Sequence, residues 1–236
     1  MLDLEVFVVE NQQNSKYDER LRKSAFVNDV NINWIGNGVD WKGNSTKIKL
    51  FITLLCRSKA KYALCLDSRD VLFYDKLETI CKRFKIYLDR GYKVVYNAET
   101  NCFPRPEIAG MFPSQDKKYK YLNSGAIIGD RRSIVRIFRQ AKKWHSKMPY
   151  IKNDQYFHQA YFLRYGNEKK ITLDYNCNIF QVMWDQGMGG SANYDLIYSK
   201  NYIYNQHTQS FPCIFHYPGP SGTAETVYRI INKNFY

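Results

Sequence analysis

Two aspartates three residues apart, Asp67 and Asp70, stand where an apolar run stops, in the stretch LCLDSRDVLFYD at 64–75. Carboxylates at the mouth of a buried strand offer hard oxygen ligands to a divalent cation, with positions left for phosphate oxygens and water. A histidine, His216, sits in a similar apolar setting, PCIFHYPG at 212–219. Imidazole as a third ligand shifts the preference from Mg2+ toward Mn2+. The three residues together suggest a metal held against a phosphate-bearing substrate. Plainer readings stand beside this one: two aspartates that cap a strand end and a turn, and a core histidine with a hydrogen-bond partner.

Other candidates surround this set. Ile48, Phe51, Ile52 and Leu55 mark one face of a helix, and Ser45 is suited to cap it. Lys47 then lies on the first turn, where exposed N–H groups and an ammonium favour an anion, or it is a solvated helix lysine. Asn153, Asp154 and Gln155 open an aromatic helix. Asp154 there is either an N-cap or a carboxylate that orients a hydroxyl or stabilises positive charge on a sugar ring. Asn123, Ser124 and Gly125 interrupt a hydrophobic stretch, as a ligand-contacting strand or as a bulge. The run PGPSG, with Gly219 inside it, could shape a turn around a phosphate. The segment 30–45, with three glycines and two tryptophans, reads as a loop that could cover a ligand.

The elements that must position these groups alternate. Strands are predicted over 4–9, 61–66, 93–98, 121–128 and 171–174, with a turn at Gly129. Helices are predicted from Ser45, over 75–88, 131–145 and 154–164. The twenty residues after the first strand read as polar and mixed, 183–193 as a flexible loop, and 202–208 and 213–217 as short strands. Such alternation predicts an α/β fold with a mainly parallel, Rossmann-like sheet flanked by helices, and residues 1–236 as one domain. Asp67 and Asp70 then fall at the carboxyl ends of strands, where open α/β sheets bind ligands.

Composition narrows the class. A formal net charge of +13 fits a lysine-rich surface or attraction to an anionic ligand such as a nucleotide diphosphate. The basic residues are scattered, with short runs such as KKYK at 117–120, so nucleic acid is not expected as a partner. Cysteines at 56, 65, 81, 102, 177 and 213 show no CxxC spacing; Cys56, Cys65 and Cys81 read as buried thiols, which favours a reducing compartment. No apolar run approaches the ~20 residues of a membrane span. MLDLEVFVVE is unlike a signal peptide, so the expected location is cytoplasmic, unless the chain is an excised domain. The Asn, Lys, Ile and Tyr bias resembles proteins of AT-rich genomes, including large viruses.

Seven segments occur in a recognisable order: VDWKG with TKIK, LDSRDVLF, NAETNCFP, YLNSGAIIG, NDQYF, LDYNCNIFQ and IFHYPGP. In this the chain resembles the glycosyltransferase domain of procollagen lysyl hydroxylase (PLOD)-type enzymes, and more loosely the collagen glucosyl- and galactosyltransferases, over roughly 30–220. The resemblance implies a GT-A fold and Mn2+, with Mg2+ possible. It implies UDP-glucose or UDP-galactose as donor and hydroxylysine or galactosyl-hydroxylysine of a collagen-like polypeptide as acceptor. By motif, Asp67, Asp70 and His216 match the metal ligands, Lys47 a lysine near the donor diphosphate, and Asp154 an acidic residue of the sugar and acceptor region. Trp41, Asn123 and Gln181 match pocket residues, and Glu99 one that holds the cleft.

Three departures stand out. Relatives usually carry an aromatic residue between the paired aspartates, where this chain has Arg69, which could stack on a base or reach a phosphate. Asn153 replaces an acidic residue before Asp154, and HYPGP alters the loop after His216. The alternatives to collagen glycosylation are transfer to a glycan or small molecule, and non-catalytic binding of a sugar nucleotide.

Overall fold

Residues 2–16, 18–183, 195–199 and 202–218 are described by a computed structural model of the chain. In β1 (Leu4–Val9), Phe7 and Val9 enter one buried cluster while Leu4, Val6 and Val8 enter another. A strand covered on both faces must be apolar at successive positions, which is why this run lacks polar alternation. There follow α1 (Glu19–Val27), β2 (Ile32–Ile35), α2 (Thr46–Arg57), β3 (Tyr62–Leu66), β4 (Val71–Phe73) and α3 (Leu77–Asp89). Next come β5 (Val94–Glu99), β6 (Tyr121–Asp130), α4 (Arg131–His145), α5 (Gln155–Tyr165) and β7 (Ile171–Leu173). The described chain ends in short strands: β8 (Phe180–Val182), β9 (Leu196–Tyr198), β10 (Ile203–Asn205) and β11 (Ile214–His216).

The central sheet has the order β2-β1-β3-β6-β5-β7. β1 runs parallel to β2 and β3, and β5 parallel to β7, while β6 is antiparallel to both its neighbours. The sheet is therefore mixed but largely parallel. α2, α4 and α5 cover one face through Phe51, Leu55, Phe138 and Phe157; α1 and α3 cover the other through Leu21, Ile80 and Phe84. This is the GT-A, Rossmann-like architecture that the sequence predicts.

Register builds the site edge. Val8 pairs with Leu66, so β1 and β3 end together and bring Glu10 and Asp67 to the same edge of the sheet, with Ser68 Oγ donating to Glu10 Oε2 at 2.6 Å. β6 starts at this edge, with Asp67 N donating to Gly125 O at 2.8 Å. A second sheet, β4-β11-β8, pairs His216 with Val71, and Tyr217 N donates to Asp70 O at 2.9 Å. That pairing carries His216 to Asp70.

The structure corrects several local expectations. α1 lies in the stretch read as polar and mixed; only Leu21, Ser24 and Ala25 of its nine residues are buried, too thin a stripe to show a helical period. β2 is a half-covered edge strand inside the expected loop 30–45. Gly129 is no turn: it pairs within β6, where a Cβ would come within 2.6 Å of Lys93 O. Ser45 makes no cap bond; its hydroxyl donates to Ile151 O at 3.0 Å and ties α2 to the segment before α5. Cys65 and Cys81 are buried, but Cys56 is exposed. Of the expected loop 183–193, only Met183 lies within the described residues. Among the described residues, no helix is long and apolar enough to cross a membrane.

Candidate functional site

Asp67 follows β3, Asp70 precedes β4 and His216 closes β11, and their candidate ligand atoms all lie within 4.8 Å of one another. His216 Nε2 faces Asp70 Oδ2 at 3.3 Å. Yet this buried nitrogen has no hydrogen-bond partner, which is the state of a ligand atom aimed at a third body. Two carboxylates and an imidazole suit a first-row divalent cation. The cluster thus fits a divalent metal on both donor chemistry and the orphaned nitrogen. Burial pushes the His216 imidazole toward neutrality, but the facing carboxylates of Asp70, Asp67 and Glu99 raise its pKa overall. Asp70 is held below the usual carboxylate range by His216 and Lys47, against its burial.

Lys47 enters from the first turn of α2 and is buried. Its Nζ lies 2.6 Å from Asp67 Oδ1 and 3.3 Å from Asp154 Oδ2. Burial disfavours the ammonium, but Asp154 and Asp67 outweigh it, so Lys47 stays charged. Burial pushes the Asp154 carboxyl up to about 6 in spite of Lys47, which it shares with Asp67. Asp154 makes no cap bond with its side chain. Instead, Asn153 Oδ1 accepts from Gln155 N at 2.9 Å, so Asn153 shapes the start of α5.

Two cavities meet at Asn44, Lys47, Asp67 and Asp70. The smaller, of about 340 Å³, is walled by Trp41, Glu10 and Arg69. Arg69 donates through Nε and Nη2 to the Glu10 carboxylate at 2.8 and 2.7 Å, and through Nη2 to Asn11 Oδ1 at 2.9 Å. Burial would raise Glu10, yet the bonds from Arg69 and Ser68 bring its pKa down to about 2. The larger cavity, of about 560 Å³, holds Glu99, Asn123, Asn153, Asp154 and His216. Glu99 Oε1 accepts from Asn123 at 3.1 Å and from Gln155 at 2.9 Å. Burial pushes Glu99 up to about 7 against those bonds.

The cleft therefore brings together Trp41, Lys47, Asp67, Arg69, Asp70, Glu99, Asn123, Asn153, Asp154 and His216. Gln181 lies elsewhere: it is fully buried in β8, its amide oxygen accepting from Asn205 at 2.6 Å. Gly219 lies outside the described residues. Glu10 was not among the predicted residues, although the rule that exposes Asp67, a polar residue ending an apolar strand, applies equally to the end of β1. Asn44 carries no comparable sequence signal, and Asn97 and Gln155 stand inside the motifs NAETNCFP and NDQYF without a role that the motifs assign; the tertiary pairing shows what they touch.

A family model described as the PLOD GT domain matches residues 1–229. The chain belongs to the PLOD GT domain family. It is 30% identical over 217 residues to Uncharacterized protein R699 of Acanthamoeba polyphaga mimivirus, covering 87% of this chain and 44% of that protein. It is 26% identical over 231 residues to the Drosophila melanogaster procollagen-lysine,2-oxoglutarate 5-dioxygenase, covering 92% of this chain and 31% of that enzyme. The human multifunctional procollagen lysine hydroxylase and glycosyltransferase LH3 gives 26% over 231 residues, with 92% and 30% covered. This PLOD-family chain thus spans less than half the length of these relatives. Among solved structures, a glycosyltransferase involved in the glycosylation of the major capsid of PBCV-1 superposes with a TM-score of 0.56 at 11% identity, covering 96% of this chain and 98% of that one. That likeness concerns the fold.

Proposed function

We propose that this chain transfers glucose or galactose from a UDP-sugar to a hydroxyl of hydroxylysine or galactosyl-hydroxylysine in a collagen-like polypeptide. The observation that carries the proposal is the meeting of two cavities at Lys47, Asp67 and Asp70, with His216 alongside. A donor laid across that junction has its nucleoside in the smaller lobe, its diphosphate at the junction, and its sugar facing the acceptor in the larger lobe. Asp67, Asp70 and His216 would hold Mn2+, or Mg2+, which when bound neutralises charge gathering on the leaving diphosphate. Lys47 keeps a buried positive charge beside the same phosphates, in a site where preorganised charge acts more strongly than in water. Asp154, on the other side of Lys47, is placed to orient the acceptor hydroxyl or to stabilise positive charge on the sugar ring. Trp41 and Arg69 face the nucleoside; Asn123 and Glu99 face the sugar. The names of the fly and human relatives support the collagen-like acceptor.

The test measures UDP release from each UDP-sugar, with and without a hydroxylysine peptide, in Mn2+ and then in chelator. Peptide-stimulated release that chelator abolishes is expected. Release that is indifferent to chelator would sink the metal assignment, and micromolar UDP-sugar binding without turnover would favour a non-catalytic binder.

A further inference from the structure

Among the buried polar atoms without a hydrogen-bond partner are His216 Nε2 and the side-chain oxygen of Asn97. Asn97 lies on β5 and is wholly buried, and His216 is 3% exposed. They face each other, with Asn97 Nδ2 3.4 Å from His216 Nδ1. Amide nitrogen against Nδ1 requires Nδ1 to accept, so a neutral ring must then carry its proton on Nε2. A proton there closes the nitrogen that faces Asp70 Oδ2 at 3.3 Å. Half a turn of the Asn97 amide exchanges its oxygen and nitrogen. Oδ1 then accepts from Nδ1–H, and the Nε2 lone pair is open toward the carboxylates of Asp70 and Asp67. One rotation gives both orphaned atoms a role.

We infer that Asn97 is the positioning residue of the metal centre: its side-chain oxygen accepts from His216 Nδ1–H and fixes the tautomer whose Nε2 lone pair takes the divalent cation. This rests on the reading of Asp67, Asp70 and His216 as a metal site, and adds to it the residue that makes the imidazole a ligand. Metal-bound histidines commonly donate their other ring N–H to such an acceptor, and its loss weakens metal affinity about 10- to 100-fold. The bulge between Tyr96 and Asn97, where the β5–β6 register shifts, starts at this residue. Bulges re-aim side chains, and this one lies beside Asn97 as it points at His216.

The test is Mn2+ titration of wild type, Asn97→Leu and Asn97→Asp, with melting curves of each metal-free protein. Asn97→Leu keeps the shape and lacks an acceptor; its Mn2+ affinity is expected to fall about 10- to 100-fold. Asn97→Asp keeps an acceptor and should stay within about threefold of wild type. 15N shifts of the His216 ring in Mg2+-loaded wild type should show the proton on Nδ1. Equal weakening in both variants, unchanged affinity in Asn97→Leu, or a proton on Nε2 in the loaded protein would overturn the role of Asn97. Wild type that binds no Mn2+ would instead overturn the metal site itself. Should Asn97→Asp fail to fold, the Asn97→Leu titration and the 15N shifts still decide.

Discussion

Gly125 lies directly beneath the imidazole of His216: a Cβ on Gly125 would occupy the space of the ring. The glycine is thus the floor on which the histidine of the candidate metal cluster rests. Its backbone also holds the cluster from the other side, since Asp67 N donates to Gly125 O. Gly125→Ala should therefore displace His216, with an overpacking cost of about 1–3 kcal/mol. Metal titration and melting of the variant check this. A Mn2+ affinity within about twofold of wild type, where the loss expected is tenfold or more, would refute the contact's importance.

Asp70→Ala and His216→Ala should each abolish metal-dependent donor use while leaving the fold largely intact. Both residues sit at strand ends beside the cleft, and neither belongs to the apolar clusters. Circular dichroism together with UDP release in Mn2+ reads the outcome. Full activity in either variant removes that residue from the ligand set.

How far the sequence reveals this site depends on what each residue needs in order to be noticed. Asp67 is legible because a buried strand ends in charge, whereas Asp70, expected at the carboxyl end of a strand, stands instead at the amino end of β4. Lys47 is legible because its helix has a clear apolar stripe. That Lys47 bridges Asp67 and Asp154 is not legible, because α2, β3 and α5 meet only after the sheet has formed. His216 announces its type but not its partner, which is chosen by the pairing of β11 with β4. Gln181 shows the opposite case: its motif suggests a pocket, while packing turns the amide toward Asn205. The strands and helices that carry cores are readable from periodicity; α1 and β2, with little buried surface, are not.

Lys47→Met should destabilise the protein as well as weaken donor binding. The ammonium stands between two carboxylates, one of them on the almost fully buried Asp154. Removing one partner of a buried ion pair typically costs about 3–5 kcal/mol, because the remaining charge is left uncompensated. Adding Asp154→Asn should restore much of the urea midpoint but not the donor affinity. A single variant as stable as wild type would mean that Asp154 is already neutral without Lys47.

His158 should leave a mark on the acid side of the stability profile. Burial, with the Lys47 charge, lowers its pKa to about 3, and Tyr96 OH meets its Nδ1 at 2.7 Å. Below pH ~6.5 the unfolded chain takes up a proton that the folded chain refuses until about pH 3. Stability from this group therefore falls with falling pH across that window, by up to about 1.4 kcal/mol per pH unit. Asp154 and Glu99, raised to about 6 and about 7, act in the opposite direction nearby, so the comparison must be with a variant. His158→Gln should be less stable at pH 7, and the gap should narrow as pH falls to 4 in urea titrations. A constant gap would show that His158 is not held neutral.

Arg69 offers a choice that the structure sharpens. Its Nε and Nη2 are engaged by Glu10, a pair made rigid by the burial of the carboxylate. With that edge committed, the part of Arg69 best suited to a ligand in the smaller lobe is the flat face of the guanidinium, which stacks on rings. Arg69→Ala should then weaken UDP about 10-fold or more in Mn2+ and leave inorganic pyrophosphate within about twofold, since base stacking on a side chain contributes about 1–3 kcal/mol. Glu10→Gln should follow the same pattern more weakly, by loosening the guanidinium. Calorimetric titration of each variant with UDP and with pyrophosphate separates base from phosphate. Equal losses for both ligands would make Arg69 a phosphate contact and Glu10 its counter-charge.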